Sequence, residues 1–149
     1  MENGSMPNSD ISFLVKKLDN HIQRNIYALY NRKEIQECSL TNMWVTDYLF
    51  DMQQQGRVIF QKDIEAEFSI NRATASKMLT LMESKKLIRR TNLPSDNRLK
   101  RIELEPRGLE LQKLCRYIRD ELEKQLTDCL TEEEVRLFKS LCLRMMEHL

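Results

Sequence analysis

The side chains best placed to do chemistry in this chain are basic, and they cluster. Between Ser69 and Arg101, nine Lys or Arg stand against two acids, a charge of about +7, whereas the whole chain carries +1. The remainder is therefore near −6, and an overall pI near 7.6 hides a strongly basic segment. One sign of charge gathered on one short segment is the electrostatic footprint of a phosphate-binding surface. An ordinary solvated charge face is the plainer alternative. Arg89, Arg90, Arg98, Lys100 and Arg101 surround a polar turn that holds a single acid, Asp96. Arg72 stands in the first turn of a helical segment, where a positive side chain opposes the helix dipole, so it points to a role outside the fold.

Catalytic constellations are scarce. His21 and His148 are the only histidines, and neither belongs to a nucleophile motif or an H-E-x-x-H arrangement. With 3 Gly in the chain there is no glycine-rich phosphate loop. Cys38, Cys115, Cys129 and Cys142 form no C-x-x-C pair and offer no zinc spacing, which suits reduced thiols rather than a disulfide framework. Glu132, Glu133 and Glu134 are consecutive on a helix and do not converge. The expectation is a binding protein, not an enzyme, without metal or cofactor.

The basic residues sit on a recognisable order of elements. A short helix, Lys62 to Phe68, is followed after Ser69-Ile70-Asn71 by a longer one ending near Lys85. In the second, Ala75, Met78, Leu79 and Met82 form one apolar stripe at i, i+3, i+4 and i+7. Its other face carries Ala73, Ser76, Lys77 and Thr80; an ordinary amphipathic surface helix would show the same stripe. Two β-like arms, Leu87 to Thr91 and Leu99 to Leu104, flank the turn Asn92 to Asn97, and Ile88, Ile102 and Leu104 can share a side. Helix, turn, helix, hairpin is the order of a winged helix-turn-helix, whose second helix enters the DNA major groove.

These residues resemble the MarR family of bacterial winged-helix transcription regulators. The resemblance rests on Asp63-Ile64, Thr74-Ala75-Ser76-Lys77, Met82-Glu83, Leu87-Ile88-Arg89-Arg90 and the wing sequence Asp96-Asn97-Arg98, with Leu104 and Gly108 closing it. Leu130-Thr131-Glu132-Glu133-Glu134 resembles the family's start of the last helix. Two departures stand out. Lys86 takes the place of a helix-ending glycine, which implies strain near the helix C-cap, and Glu105-Pro106 replaces a Leu-Thr continuation.

Outside this segment the chain reads as helix. Ser9 or Asp10 caps a helix to about Glu37, striped by Ile11, Leu14, Val15, Leu18, Ile22, Ile26 and Leu29. Such a stripe packs either in its own domain or on another chain. Cys38-Ser39-Leu40-Thr41 breaks it, and a second helix runs from Asn42 to about Gln54, ended by Gly56. Arg57 to Phe60 is short and β-prone, a candidate third strand. Leu111, Leu114, Cys115, Ile118, Leu122, Leu126 and Cys129 stripe a helix after Gly108. Thr131 and Glu134 fit a capping box ahead of a last helix lined by Val135, Phe138, Leu141, Cys142, Met145 and Leu149. His21 lies beside the first stripe, where a hydrogen-bonded structural role is the plain reading; Tyr27 and Tyr30 lie on the same helix. Trp44 and Tyr48 share a face that serves either as core or as the wall of a small-molecule pocket. No apolar run approaches a membrane span, and the first ten residues lack the apolar centre of a signal peptide.

The expected protein is mainly α (α+β), one domain over residues 1–149. Residues of about 11–37 and 108–149 supply dimerisation helices, and about 40–107 a winged helix region. Leu14, Leu18, Ile22, Ile118, Leu122, Phe138, Leu141 and Met145 are the candidate dimer interface. Arg72, Ala73, Thr74, Ser76, Lys77, Thr80, Arg89, Arg90, Asp96, Arg98 and Lys100 are the candidate contacts to double-stranded DNA. The first and the last two helices carry apolar stripes that one winged domain could not fully cover, so a cytoplasmic homodimer is expected, and its two-fold symmetry predicts an inverted-repeat operator with half-sites about 10 bp apart. The resemblance implies a repressor relieved by a small aromatic effector bound near His21, Trp44 and Tyr48. Two other readings stand beside it: a thiol-redox sensor of the same fold, and a winged helix used only for protein–protein contact. The first places its reactive Cys near the start of the first helix, whereas Cys38 lies at the far end; the basic wing argues against the second.

Overall fold

The computed structural model describes residues 9–29 and 40–149. α1 (Ile11–Leu29) precedes the winged segment, which α2 (Leu40–Gln54) opens. α3 (Gln61–Phe68), α4 (Arg72–Ser84), β1 (Ile88–Leu93) and β2 (Asp96–Leu104) complete it, and α5 (Pro106–Thr127) and α6 (Glu132–His148) follow. The expected extension of the first helix to Glu37, the break at Cys38-Ser39 and Tyr30 lie outside the described residues. α2 begins at Leu40, so Thr41 is inside the helix and does not cap it.

Local chemistry sets the joints. Gly56 ends α2 in the left-handed conformation (φ 71°). Asp63 accepts the Phe60 N–H at 2.8 Å at the start of α3. Asn71 is the N-cap of α4, its side chain accepting from the Thr74 N–H at 2.8 Å. Lys86 takes the glycine-like conformation implied by the resemblance, with φ 60°. Backbone bonds from the Lys86 N–H to Glu83 and from the Leu87 N–H to Met82, both 3.0 Å, close the helix end around it, and Arg107 donates to the Lys85 carbonyl at 2.8 Å.

The wing is a two-stranded antiparallel sheet pairing Ile88 with Leu104, Arg90 with Ile102 and Asn92 with Lys100. Both strands run further than the arms expected above, and the turn shrinks to Pro94-Ser95. The register shifts at Asn92/Leu93, where Leu93 pairs with Asp96. The shift leaves Asn97, Arg98 and Leu99 as a bulge. The third strand is a single bridge, Ile59 to Ile102.

α5 starts before Gly108, at Pro106, with Glu105 as N-cap. Proline suits this first turn because its missing N–H would have no helical partner. Gly108 lies where a Cβ would stand 2.1 Å from the Leu87 carbonyl oxygen, so any side chain would force α5 off the wing. The Thr131–Glu134 capping box forms as expected, at 3.1 and 3.0 Å.

One core joins these pieces: Ile26 of α1, Met43, Val45 and Leu49 of α2, Ile64, Leu79, Met82, the wing residues Ile88, Ile102 and Leu104, and Leu111, Cys115, Ile118 and Leu122 of α5. α6 has no buried residue.

Candidate nucleic-acid interface

The start of α3 (Phe60, Gln61, Lys62 and Glu65), Arg72 at the first turn of α4 and the inner face of the wing enclose a concavity of about 250 Å³. Lys62, Arg72, Arg90, Arg98 and Lys100 line it, with Glu65 the one carboxylate on its wall. Ala75, Leu79 and Met82 bury the opposite side of α4. Arg72, Ala73, Thr74, Lys77 and Thr80 are therefore exposed and Ser76 half-exposed. The expected inward stripe is present, with Met78 only half-buried. Lys62 enters this set through α3; on the sequence alone it is one polar residue of a short helix.

Strand alternation sorts the wing cations. Arg90 shares the inner face with Ile88 and Ile102 and reaches α4, where Nε donates to Glu83 at 3.0 Å and Nη2 to the Thr80 hydroxyl at 3.3 Å. This hydrogen bonding holds the Glu83 carboxyl below the usual carboxylate range. Arg89 stands on the other face, paired with Glu103 at 2.7 Å, and Arg101 pairs with the same carboxylate. Arg89 and Arg90, both candidate DNA contacts, thus stand on opposite faces, because neighbouring strand residues point to opposite sides. The Arg89 hydrogen bond is also the main cause of a lowered Glu103 pKa.

Asp96 acts on the backbone. Its Oδ1 accepts the Arg98 N–H at 2.9 Å and so shapes the bulge from which Arg98 projects.

His21, Trp44 and Tyr48 are not brought together. His21 lines a groove of about 500 Å³ between α1 and α5, with Leu18, Ile22, Arg24, Asn25 and Leu122 among its other walls. Trp44 lies under the Arg119 guanidinium, 4.2 Å from ring centroid to Cζ. Tyr48 packs edge-on against Phe68 at 5.7 Å, and burial, reinforced by Glu67 and Asp63, pushes its phenol pKa up. α2 thus turns these two rings toward different neighbours.

The dimer candidates divide as well. Leu14, Leu18, Phe138, Leu141 and Met145 are exposed, from 39 to 51%. Ile22 is half-buried, Ile118 is buried in the chain's own core, and Leu122, buried there too, shows only an edge in the groove beside His21. Cys115 is buried, Cys142 intermediate and Cys129 exposed; Cys38 lies outside the described residues.

A charged cluster without a sequence motif joins α2 to α5. Asp47, 1% exposed, accepts from Gln112 at 2.9 Å and from Arg116 Nη2 at 2.7 Å, and is paired with Arg119. Arg116 also reaches Asp51 at 2.7 Å. Among the described residues no His, Cys, Asp and Glu group could hold a metal ion, and no helix is long and apolar enough to cross a membrane.

The sequence profile of the MarR family matches residues 46–100. Among solved structures, the transcription regulator MarR of Oenococcus oeni PSU-1 is 30% identical over 93% of this chain and 99% of its own, with a TM-score of 0.73. The S. aureus MepR–DNA complex is 27% identical over 94% of this chain and 98% of its own, with a TM-score of 0.82. A probable transcriptional regulator from Pseudomonas aeruginosa, 18% identical over 94% of this chain and 99% of its own, shares the fold with a TM-score of 0.74. A comparison with the curated proteins gave no match. The chain belongs to the MarR family of winged-helix, DNA-binding transcription regulators.

Proposed function

We propose that this protein is a homodimeric, sequence-specific repressor that acts in the cytoplasm on an inverted-repeat operator and is released by a small aromatic effector. The single observation that carries the DNA reading is the cationic concavity of Lys62, Arg72, Arg90, Arg98 and Lys100 beside the exposed face of α4. Its curvature and charge suit a phosphate backbone, with Ala73, Thr74, Ser76, Lys77 and Thr80 facing base edges. Arg98, at the wing bulge, enters the adjacent minor groove.

Dimerisation is supported by α1 and α6, whose Leu14, Leu18, Phe138, Leu141 and Met145 are left exposed by the single chain. On each helix they recur at helical spacing, and exposed apolar side chains of this kind mark association. Residues of about 11–37 and 108–149 serve this role and 40–107 the DNA, within one domain. The effector binds the groove beside His21, where Arg24, Asn25 and Gln125 ring apolar Leu18, Ile22 and Leu126; this polar rim suits an aromatic anion.

Selection of duplexes from a randomised pool tests the reading. It predicts enrichment of an inverted repeat with half-sites about 10 bp apart. Enrichment of a single half-site, or of none, would contradict it. A panel of phenolic acids added to the selected complex should include one that releases the duplex, and His21→Ala should blunt that release.

A further inference from the structure

The Asp47 cluster sits at the junction between the winged segment and the terminal helices. α5 is the strut that spans both. Its first turn is fixed to the wing by Arg107 on the Lys85 carbonyl and by Gly108 against Leu87. Its last turns meet α1, where Asn25 donates to Gln125. Midway, Gln112, Arg116 and Arg119 fall at i, i+4 and i+7, one face of α5. All three converge on the one Asp47 carboxylate. On α2, Trp44 and Asp51 continue the same contact one turn to either side.

The apolar part of this interface, where buried residues of α2 and α5 share one core, would tolerate a small rotation or slide. Directional bonds of 2.7 to 3.1 Å to one buried oxygen would not. Registry is the best attested use of buried ionic groups. We propose that Asp47 is a positioning residue: with Arg116 and Arg119 it fixes the angle of α5 on the winged segment, and so the separation of the two recognition helices in the dimer. This inference rests on the dimeric reading above.

The test compares wild type with Asp47→Asn, which keeps the size but not the charge, on the selected duplex. A second duplex carries one extra base pair between half-sites, which turns one half-site by about 35°. Wild type should prefer the first duplex. Folded Asp47→Asn should lose about tenfold of that preference. Its affinity for random duplex and its salt dependence should be unchanged, since no DNA-facing cation is touched. If Asp47→Asn does not fold, Arg116→Gln, half-exposed and leaving Arg119 on Asp47, is read in the same way. Arg116→Lys, which keeps charge but not the fork, should restore only part of the preference lost in Arg116→Gln. A folded Asp47→Asn or Arg116→Gln with the full preference overturns the inference alone. A wild type indifferent to spacing overturns the dimeric reading and the inference with it.

Discussion

Arg90 on β1 and Glu83 in the last turn of α4 are joined through Nε at 3.0 Å and Nη2 at 3.4 Å, and the same Nη2 lies 3.3 Å from Thr80, one helical turn earlier. The wing base is thereby braced on the recognition helix by side chains, beyond the shared core. Glu83 is 42% exposed, so the pair contributes only about 0.5 kcal/mol to stability. Its larger effect is on orientation. Glu83→Gln removes a negative charge beside DNA, yet base preference on the selected duplex should fall, by about 1 kcal/mol. Competition binding against random duplex measures this; a gain in preference would show that Glu83 acts only as a repulsive charge.

The lowered pKa values of Glu83 and Glu103 fix the acid limb of stability. A carboxyl with a folded pKa below its unfolded value stabilises the protein fully above the unfolded value and loses that contribution as pH falls through the folded one. Melting temperature should therefore fall from about pH 5 downward, and the Glu83→Gln/Glu103→Gln double variant should show a shallower fall. Identical acid limbs would contradict the assignment.

Arg98 and Asp96 should separate cleanly. Arg98→Ala should weaken selected and random duplexes alike and lower the salt slope by about one. Asp96→Ala, which removes the acceptor of the Arg98 N–H, should resemble a mild Arg98→Ala. Asp96→Asn keeps an acceptor oxygen and should stay close to wild type. A loss for Asp96→Asn equal to that of Asp96→Ala would mean that the charge, not the turn, positions Arg98.

Two substitutions probe the frame by denaturant unfolding. Asn71→Ala removes the α4 cap and should cost about 1 kcal/mol. Gly108→Ala drives a Cβ against the Leu87 carbonyl and should cost about 1–3 kcal/mol. A neutral Gly108→Ala would show that α5 is not held closely to the wing.

Local signals made much of this legible beforehand. The α4 stripe, Gly56, the Thr131–Glu134 box and the Pro94-Ser95 turn all depend on neighbours within one or two turns of chain. Long-range partners decided the rest. Asp47 has no motif, and it is buried only because Gln112, Arg116 and Arg119, more than sixty residues away, surround it. The stripe holding Ile118 and Leu122 looks the same whether it faces its own core or a partner; the structure buries both internally. Trp44 and Tyr48 share a helical face in sequence, yet Arg119 takes one ring and Phe68 the other. Glu105-Pro106 matched no expected continuation and proved to be the start of α5.

Sedimentation velocity of the protein with the selected duplex at micromolar concentration tests the central claim most directly. Two chains per duplex are predicted, with a stable dimer in the absence of DNA. Phe138→Glu, whose side chain lies outside the chain's own core, should sediment as a folded monomer and lose operator preference. One chain per duplex at undiminished affinity, or a monomeric wild type that still discriminates the selected duplex, would contradict the account.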